Sequence, residues 1–274
     1  MFAQINHIAI ISHQYPLLEK YYQVLFGLKT SEKRWNPAGS PVVGDGCVGL
    51  NILPRRDGYI GGLDHFGLIV DSIDQALQRM QKNHPGASIV KRPSTRPFAA
   101  YSGHDPDGNV FDLAPKEGEN LKDVYAESMK QSWNQDRYFN RFAIRTLHPK
   151  EVADFYADVF ELKPIPRKTE DPNIHLTDGR MTLSLMPWTI DGFAGMSIKR
   201  SGPDHIGMKV EDVEAFKNDV QKLAGQNTYL TSWSLGGSPE AEVRKGLLQR
   251  CALGQYQLAD PDGNWIDVTD ESWT

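Results

Sequence analysis

Cysteine is almost missing from this sequence: 274 residues contain only Cys47 and Cys251, far apart and in no paired motif. They give neither a disulfide framework nor a zinc site, and both are expected to be core or surface thiols. Long apolar runs are missing too, none approaching the ~18 uninterrupted residues of a membrane span. The opening Met1-Phe2-Ala3-Gln4-Ile5-Asn6-His7 has no basic flank and no apolar signal core, so a cytoplasmic protein is expected. Positive charge is not in excess. With 30 Lys+Arg against 35 Asp+Glu, the net charge of −5 argues against nucleic acid, whose binding needs clustered bases. What remains, 39% apolar and 24% charged residues, excludes intrinsic disorder and suits one large or two modest domains.

The informative pattern is repetition. Asn6-His7-Ile8-Ala9-Ile10 aligns with Asn140-Arg141-Phe142-Ala143-Ile144, and Asp64-His65-Phe66-Gly67 with Asp204-His205-Ile206-Gly207. Further on, Asp105-Pro106-Asp107-Gly108-Asn109 recurs as Asp260-Pro261-Asp262-Gly263-Asn264, each followed within three residues by Asp112 or Asp267. The order is the same in both halves. Two homologous domains follow, 1–117 and 138–274, joined by a polar linker at 118–137.

Each domain divides again. The β-prone segments at His7, His65, Arg141 and His205 each lead into a stretch of helical period, such as Leu18, Tyr21, Tyr22, Leu25 and Phe26, closed by Gly27. Short alternating runs follow, turning at Asp45-Gly46 and Asp178-Gly179 in the first and third units. The unit is a strand, a helix and about three strands, used four times. The Asp-Pro-Asp-Gly-Asn segments are tight turns that mark architecture and not chemistry, because Gly and Asn accommodate positive φ.

A four-fold βαβββ chain carrying Asn6-His7, Asp64-His65 and these turns resembles the vicinal oxygen chelate superfamily, which includes glyoxalase I, fosfomycin- and bleomycin-resistance proteins and extradiol dioxygenases. The resemblance implies an α+β fold of two open mixed-sheet barrels, each from two units, with a divalent metal in a barrel mouth. It also implies the ligands: His7, His65 and Asp112 if consecutive units build each barrel, or His7, His205 and Asp267 if the halves exchange units. Both arrangements stand open, the consecutive one preferred. The family usually has Glu at the last position. Two imidazoles and one carboxylate suit Fe2+ or Mn2+, with Zn2+ and Co2+ also compatible, and leave open positions for a substrate with two neighbouring oxygens.

The second domain has Arg141 where the first has His7, and a guanidinium stays protonated and cannot ligate a metal. One competent site and one vestigial site are expected, the latter closed by a salt bridge. No carboxylate occurs between Val48 and Ile52, where glyoxalases carry a further Glu, which argues against glyoxalase I activity. Standard catechol cleavage is also in doubt, because Ser102 and Gln257 occupy the positions of the extradiol tyrosine, with Tyr101 and Tyr256 one residue off. Candidate catalytic residues are His104 and Tyr101, and candidate substrate contacts are Arg92, Arg96 and Tyr256. The stretch from Gly236 to Gly254 is either a lid over the second barrel or a loop insertion. The expectation is a metal-dependent enzyme for a small oxygenated molecule, aromatic compounds included. Dioxygenase-type chemistry leads, ahead of lyase or isomerase chemistry through an enolate and of binding without turnover. The chain is expected to be a monomer or a homodimer.

Overall fold

The computed structural model describes residues 2–30, 41–92, 98–117, 135–188, 201–251 and 253–272. The first unit runs β1 (Ala3–Ser12), α1 (Tyr15–Phe26), β2 (Lys29–Thr30), β3 (Val42–Gly44) and β4 (Gly49–Pro54). The second runs β5 (Gly62–Val70), α2 (Ile73–Asn83), β6 (Ile89–Lys91), β7 (Tyr101–His104) and β8 (Val110–Pro115). Together they form one sheet in the order β2-β3-β4-β1-β5-β8-β7-β6. Consecutive units therefore build the barrel.

The third unit comprises β9 (Tyr138–Thr146), α3 (Pro149–Phe160), β10 (Lys163–Pro164), β11 (Ile174–Thr177) and β12 (Thr182–Pro187). The fourth comprises β13 (Gly202–Lys209), α4 (Val213–Gln226), α5 (Pro239–Arg250), β14 (Tyr256–Ala259) and β15 (Trp265–Thr269). Their sheet has the order β10-β11-β12-β9-β13-β15-β14. The fourth unit departs from the expected βαβββ pattern. Among the described residues it has two strands after α4, and where a further edge strand would lie a single bridge joins Trp233 to Ala259. The segment between is spent on α5, which Ser238 caps by accepting the Ala241 N–H.

Strand alternation sorts the side chains. Ile8, Ile10, Leu50, Phe66, Leu68, Phe111 and Leu113 face the helices in a buried core that continues into the second half through Phe142, Tyr156, Phe160 and Phe216. Rings meet directly across the halves, Phe66 with Phe142 at 5.1 Å and Phe26 with Phe216 at 5.2 Å. At roughly 1.5–3 kcal/mol per buried aliphatic or Phe side chain, this shared core is the main source of stability. The opposite, concave face of the first sheet carries His7, His65 and Asp112. Among the described residues, no helix is long and apolar enough to cross a membrane.

Polar groups tie the halves reciprocally. Buried Asp45 accepts the N–H groups of Cys47 and Val48 in its own turn and that of Phe139 on β9. Buried Asp178 does the same for Arg180, Met181 and, on β1, Ile5 at 2.6 Å. The Asp-Pro turns repeat the exchange. Asp105 closes its own turn on Asp107 and Asn109 and accepts the Tyr156 hydroxyl, while Asp260 accepts that of Tyr22. The turns are thus architectural, and each is completed by the other half. Replacing Asp178 by Ala orphans three N–H groups and is expected to cost about 2–4 kcal/mol in urea unfolding. An effect below about 1 kcal/mol would show the contact to be incidental.

Candidate metal centre

The site begins with an irregularity. On β1, Ile5 pairs with Leu68 and His7 with Gly67, so Asn6 is skipped, and on β5 Asp64 is skipped between Leu63 and His65. In the second sheet Asn140 and Asp204 are skipped in the same way. Each of the four repeated dipeptides therefore sits at a β-bulge, whose extra residue lets two successive side chains approach each other. Asn6 Oδ1 lies 3.0 Å from His7 Nδ1, and Asp64 Oδ2 lies 2.6 Å from His65 Nδ1. Because these oxygens accept, the ring proton sits on Nδ1 and Nε2 of each histidine is aimed inward. This is the orienting contact that metal-ligating histidines commonly have.

Gly67 completes the arrangement. A Cβ there would lie 1.8 Å from His7 Cε1, so only glycine lets the imidazole lie across β5. Asp112, beside Gly67 on β8, brings Oδ2 to 3.3 Å from His65 Nε2 and 4.0 Å from His7 Nε2. One donor atom from each of the three falls within 4.8 Å of the others, all buried. His7 Nε2 is buried with no hydrogen-bond partner, an expense of roughly 1–3 kcal/mol unless something binds it. The donor set and its orientation fit a divalent ion held on one face.

Charge follows from these contacts. Burial, with the His65 charge second, lowers His7 to about 3, so its ring is neutral. Burial also disfavours charge on His65, but bonds to Asp112 and Asp64 outweigh it and raise the group to about 9. Burial would raise Asp112, yet the bond to His65 and its charge hold it at about 2. The ion-free site is a neutral imidazole beside an imidazolium–carboxylate pair.

Around the three lie Arg92, expected from the sequence as a substrate contact, and two groups not assigned a role from it, Ser102 and Phe98. Ser102, the register partner of Asp112, donates to Asp112 Oδ1. Arg92 Nη1 donates to Ser102 Oγ at 2.8 Å and lies 3.8 Å from Asp112 Oδ1, with its side chain 39% exposed. Phe98 packs on the His7 ring at 4.8 Å and joins Val42, Ile69, Ala99 and Ala114 in an apolar wall. The recurring glycine of Asp-His-x-Gly was visible in the sequence as a signal for Gly67. Nothing local pointed to Phe98.

Several expectations need correction or placement. His205 and Asp267 lie in the second sheet and do not join His7, so the exchanged pairing is not the one built. Tyr101 pairs with Leu113 and packs on the helix-side core, the face opposite Asp112, because strand neighbours point to opposite sides. Tyr256 faces Phe216 and Lys217 of α4 in the second sheet and does not line the first site. His104 is exposed at the end of β7, on the same face as Ser102. Arg96 lies outside the described residues.

The second barrel is closed. Arg141, fully buried, forms an ion pair with Asp267, as its fixed charge requires, and Gln257 donates to Asp267 Oδ1. His205 is lowered to about 4 by burial and the Arg141 charge. Helix α5 covers the concave face as a lid. Leu247 packs with Ala143, Met186 and Trp188, while Leu248 packs with Ala259 and Trp265. Arg244 stacks 3.8 Å over Trp265 and bonds Asp204 Oδ2 at 2.8 Å, where Arg145 also arrives at 3.1 Å.

Burial opposes the Asp204 charge, but Arg244, His205 and Arg145 hold the carboxyl far below the usual carboxylate range. Since its folded pKa lies below the unfolded value of about 3.9, the contribution to stability is complete above about pH 5 and fades as pH falls. Asp204→Asn is expected to cost about 3–5 kcal/mol at neutral pH. It should also flatten the acid limb of stability measured by urea titration, and an unchanged limb would refute the assignment.

The fold and the site together define a class: paired βαβββ barrels with an inward His, His, Asp set. Residues 4–113 match the family model of the Glyoxalase/Bleomycin resistance protein/Dioxygenase superfamily. No curated protein sequence matches the chain. Among solved structures, a Mn(II)-bound glyoxalase from Novosphingobium aromaticivorans is similar over 99% of this chain and 83% of its own, with 14% identity and a TM-score of 0.65. The 2,3-dioxygenase LapB from Pseudomonas sp. KL28 is similar over 97% and 91%, with 11% identity and a TM-score of 0.64. A 2,2',3-trihydroxybiphenyl 1,2-dioxygenase from Sphingomonas wittichii strain RW1 is similar over 100% and 95%, with 14% identity and a TM-score of 0.60. At such identities the likeness establishes the fold.

Proposed function

We propose that the protein is a metal-dependent enzyme whose first barrel holds a divalent ion on His7, His65 and Asp112 and takes a small substrate through two neighbouring oxygens. The carrying observation is the convergence of three buried donors, two of them aimed by Asn6 and Asp64, with His7 Nε2 unpaired. A two-histidine, one-carboxylate set with open positions is the arrangement of non-haem Fe2+ oxygenases, and Mn2+ suits it as well. When bound, such an ion supplies Lewis acidity and, if it is iron, access to oxygen chemistry.

The protein's own groups do the rest. Asn6 and Asp64 fix the tautomers, and Ser102 orients Asp112. Phe98, Val42 and Ile69 keep water from the His7 side. Arg92 offers an exposed guanidinium next to the carboxylate and is the group best placed to receive an anionic oxygen or carboxylate of the substrate. Strand β4 presents Gly49 opposite His7, with no carboxylate for a fourth ligand or a second base, which weighs against glyoxalase and epimerase chemistry. Dioxygenase-type turnover of a small diol, aromatic diols included, or of a hydroxycarbonyl compound is the favoured reading.

Anaerobic Fe2+ titration tests the ligand set. Asp112→Ala and His7→Ala are expected to abolish binding at this site, whereas Asp267→Ala leaves it intact. Loss on Asp267→Ala alone would sink the proposal. Oxygen uptake by the Fe2+-loaded protein, offered catechols and hydroxycarbonyl compounds, tests the reaction class. Turnover without uptake would move the reading to enolate chemistry. Ligand affinity that survives loss of the metal in His7→Ala, with no turnover by the unsubstituted metal-loaded protein, would make the protein a binder. Arg92→Ala is expected to raise KM for anionic substrates about 10–100-fold, with a smaller effect on kcat.

A further inference from the structure

The second barrel holds another convergence of donors, unrelated to the family positions. Asp171, in the loop before β11, His175 on β11 and Cys251, which caps α5, each offer one ligand atom within 4.8 Å of the others. All three residues are at least nine-tenths buried: Asp171 is 2% exposed, His175 1% and Cys251 5%. Each is also held from behind. Asp171 Oδ1 accepts the Asn173 N–H at 2.9 Å, and His175 Nδ1 meets Ser184 Oγ at 2.7 Å, leaving Nε2 turned toward Asp171 Oδ2 at 2.7 Å. Cys251 is anchored through its N–H to Leu248 O at 3.0 Å, at the end of the helix that covers the barrel.

We infer that Asp171, His175 and Cys251 form a second metal site, for a borderline-soft divalent ion such as Zn2+, which pins α5 over the closed barrel. Thiolate, imidazole and carboxylate are the donor types zinc prefers, and an ion draws them to about 2.0–2.3 Å, leaving one position for water. Charge favours it. A dication with one thiolate and one carboxylate is neutral, and the neighbouring Arg141 is already balanced by Asp267. Arg141 Nη1, 2.6 Å from Cys251 Sγ, then serves as a hydrogen-bond donor to the bound sulfur. The site joins the C-terminal end of α5, through Cys251, to β11, and the barrel face that α5 caps lacks the His7 equivalent.

Cobalt substitution reads this site apart from the first, because only the second contains sulfur. The protein carrying His7→Ala, which disables the first site, is expected to bind one equivalent of Co2+ and to show thiolate-to-cobalt charge-transfer absorption in the near ultraviolet. Adding Cys251→Ser should abolish that absorption, and His175→Ala should weaken Co2+ binding at least 100-fold. Chelator treatment should lower the Tm of the His7→Ala protein and leave that of the variant also carrying Cys251→Ser unmoved. If the His7→Ala protein, folded by circular dichroism, binds no Co2+ or gives no sulfur band, the inference is overturned. Loss of the first site alone leaves these readings unaffected.

Discussion

One antiparallel strand pair, β1 with β5, decides what the first barrel can do, and it does so through two extra residues. A regular ladder would send Asn6 and His7 to opposite faces, and likewise Asp64 and His65. The bulges break that alternation, so a side chain one position upstream can hold the Nδ1 proton of each imidazole. Once the tautomers are fixed, the inward nitrogen of His7 is left without a partner and that of His65 meets Asp112, and burial keeps His7 neutral enough to donate a lone pair. Gly67 and Asp112 on the neighbouring strands then fall into place around them.

The second barrel shows what happens when the same scaffold receives a different group. The bulges persist at Asn140 and Asp204, and Gly207 still makes room, since a Cβ there would lie 2.4 Å from Arg141 Cβ. Yet Arg141 brings its own charge. Asp267 becomes its counterion, His205 is held neutral without a task, and α5 closes the cavity with leucines and a stacked arginine. With Arg141 in place of an imidazole, the concave face of the second sheet is occupied by an ion pair and covered by α5.

Much of this was legible in the sequence because duplication writes each feature twice. Repeated Asn-His and Asp-His pairs, matching Asp-Pro turns and the Arg141 substitution located the units, the first site and its silent copy. The pairing of units was not legible, because His7 is common to both arrangements and only strand order separates them. The bulges escaped because they depend on cross-strand register, which a single strand does not encode. Tyr101 was misplaced for a related reason: an aromatic one residue from a site position faces away. Helix α5 carries little amphipathic pattern, since its contacts are divided between leucines and the Arg244 stem, so its segment read equally well as a loop. The grouping of Asp171, His175 and Cys251 draws on separated segments with no motif spacing, and only the fold brings them together.

The crossed turns carry an evolutionary consequence. Because Tyr22 and Phe139 finish carboxylate contacts belonging to the opposite half, neither half can be deleted without leaving the survivor's turns open and its aromatic core bare. Selection that preserves the first barrel thus also retains the second as a permanent scaffold. The interior of that retained half is then free to differ from the first, as its arginine, its lid and its sulfur do.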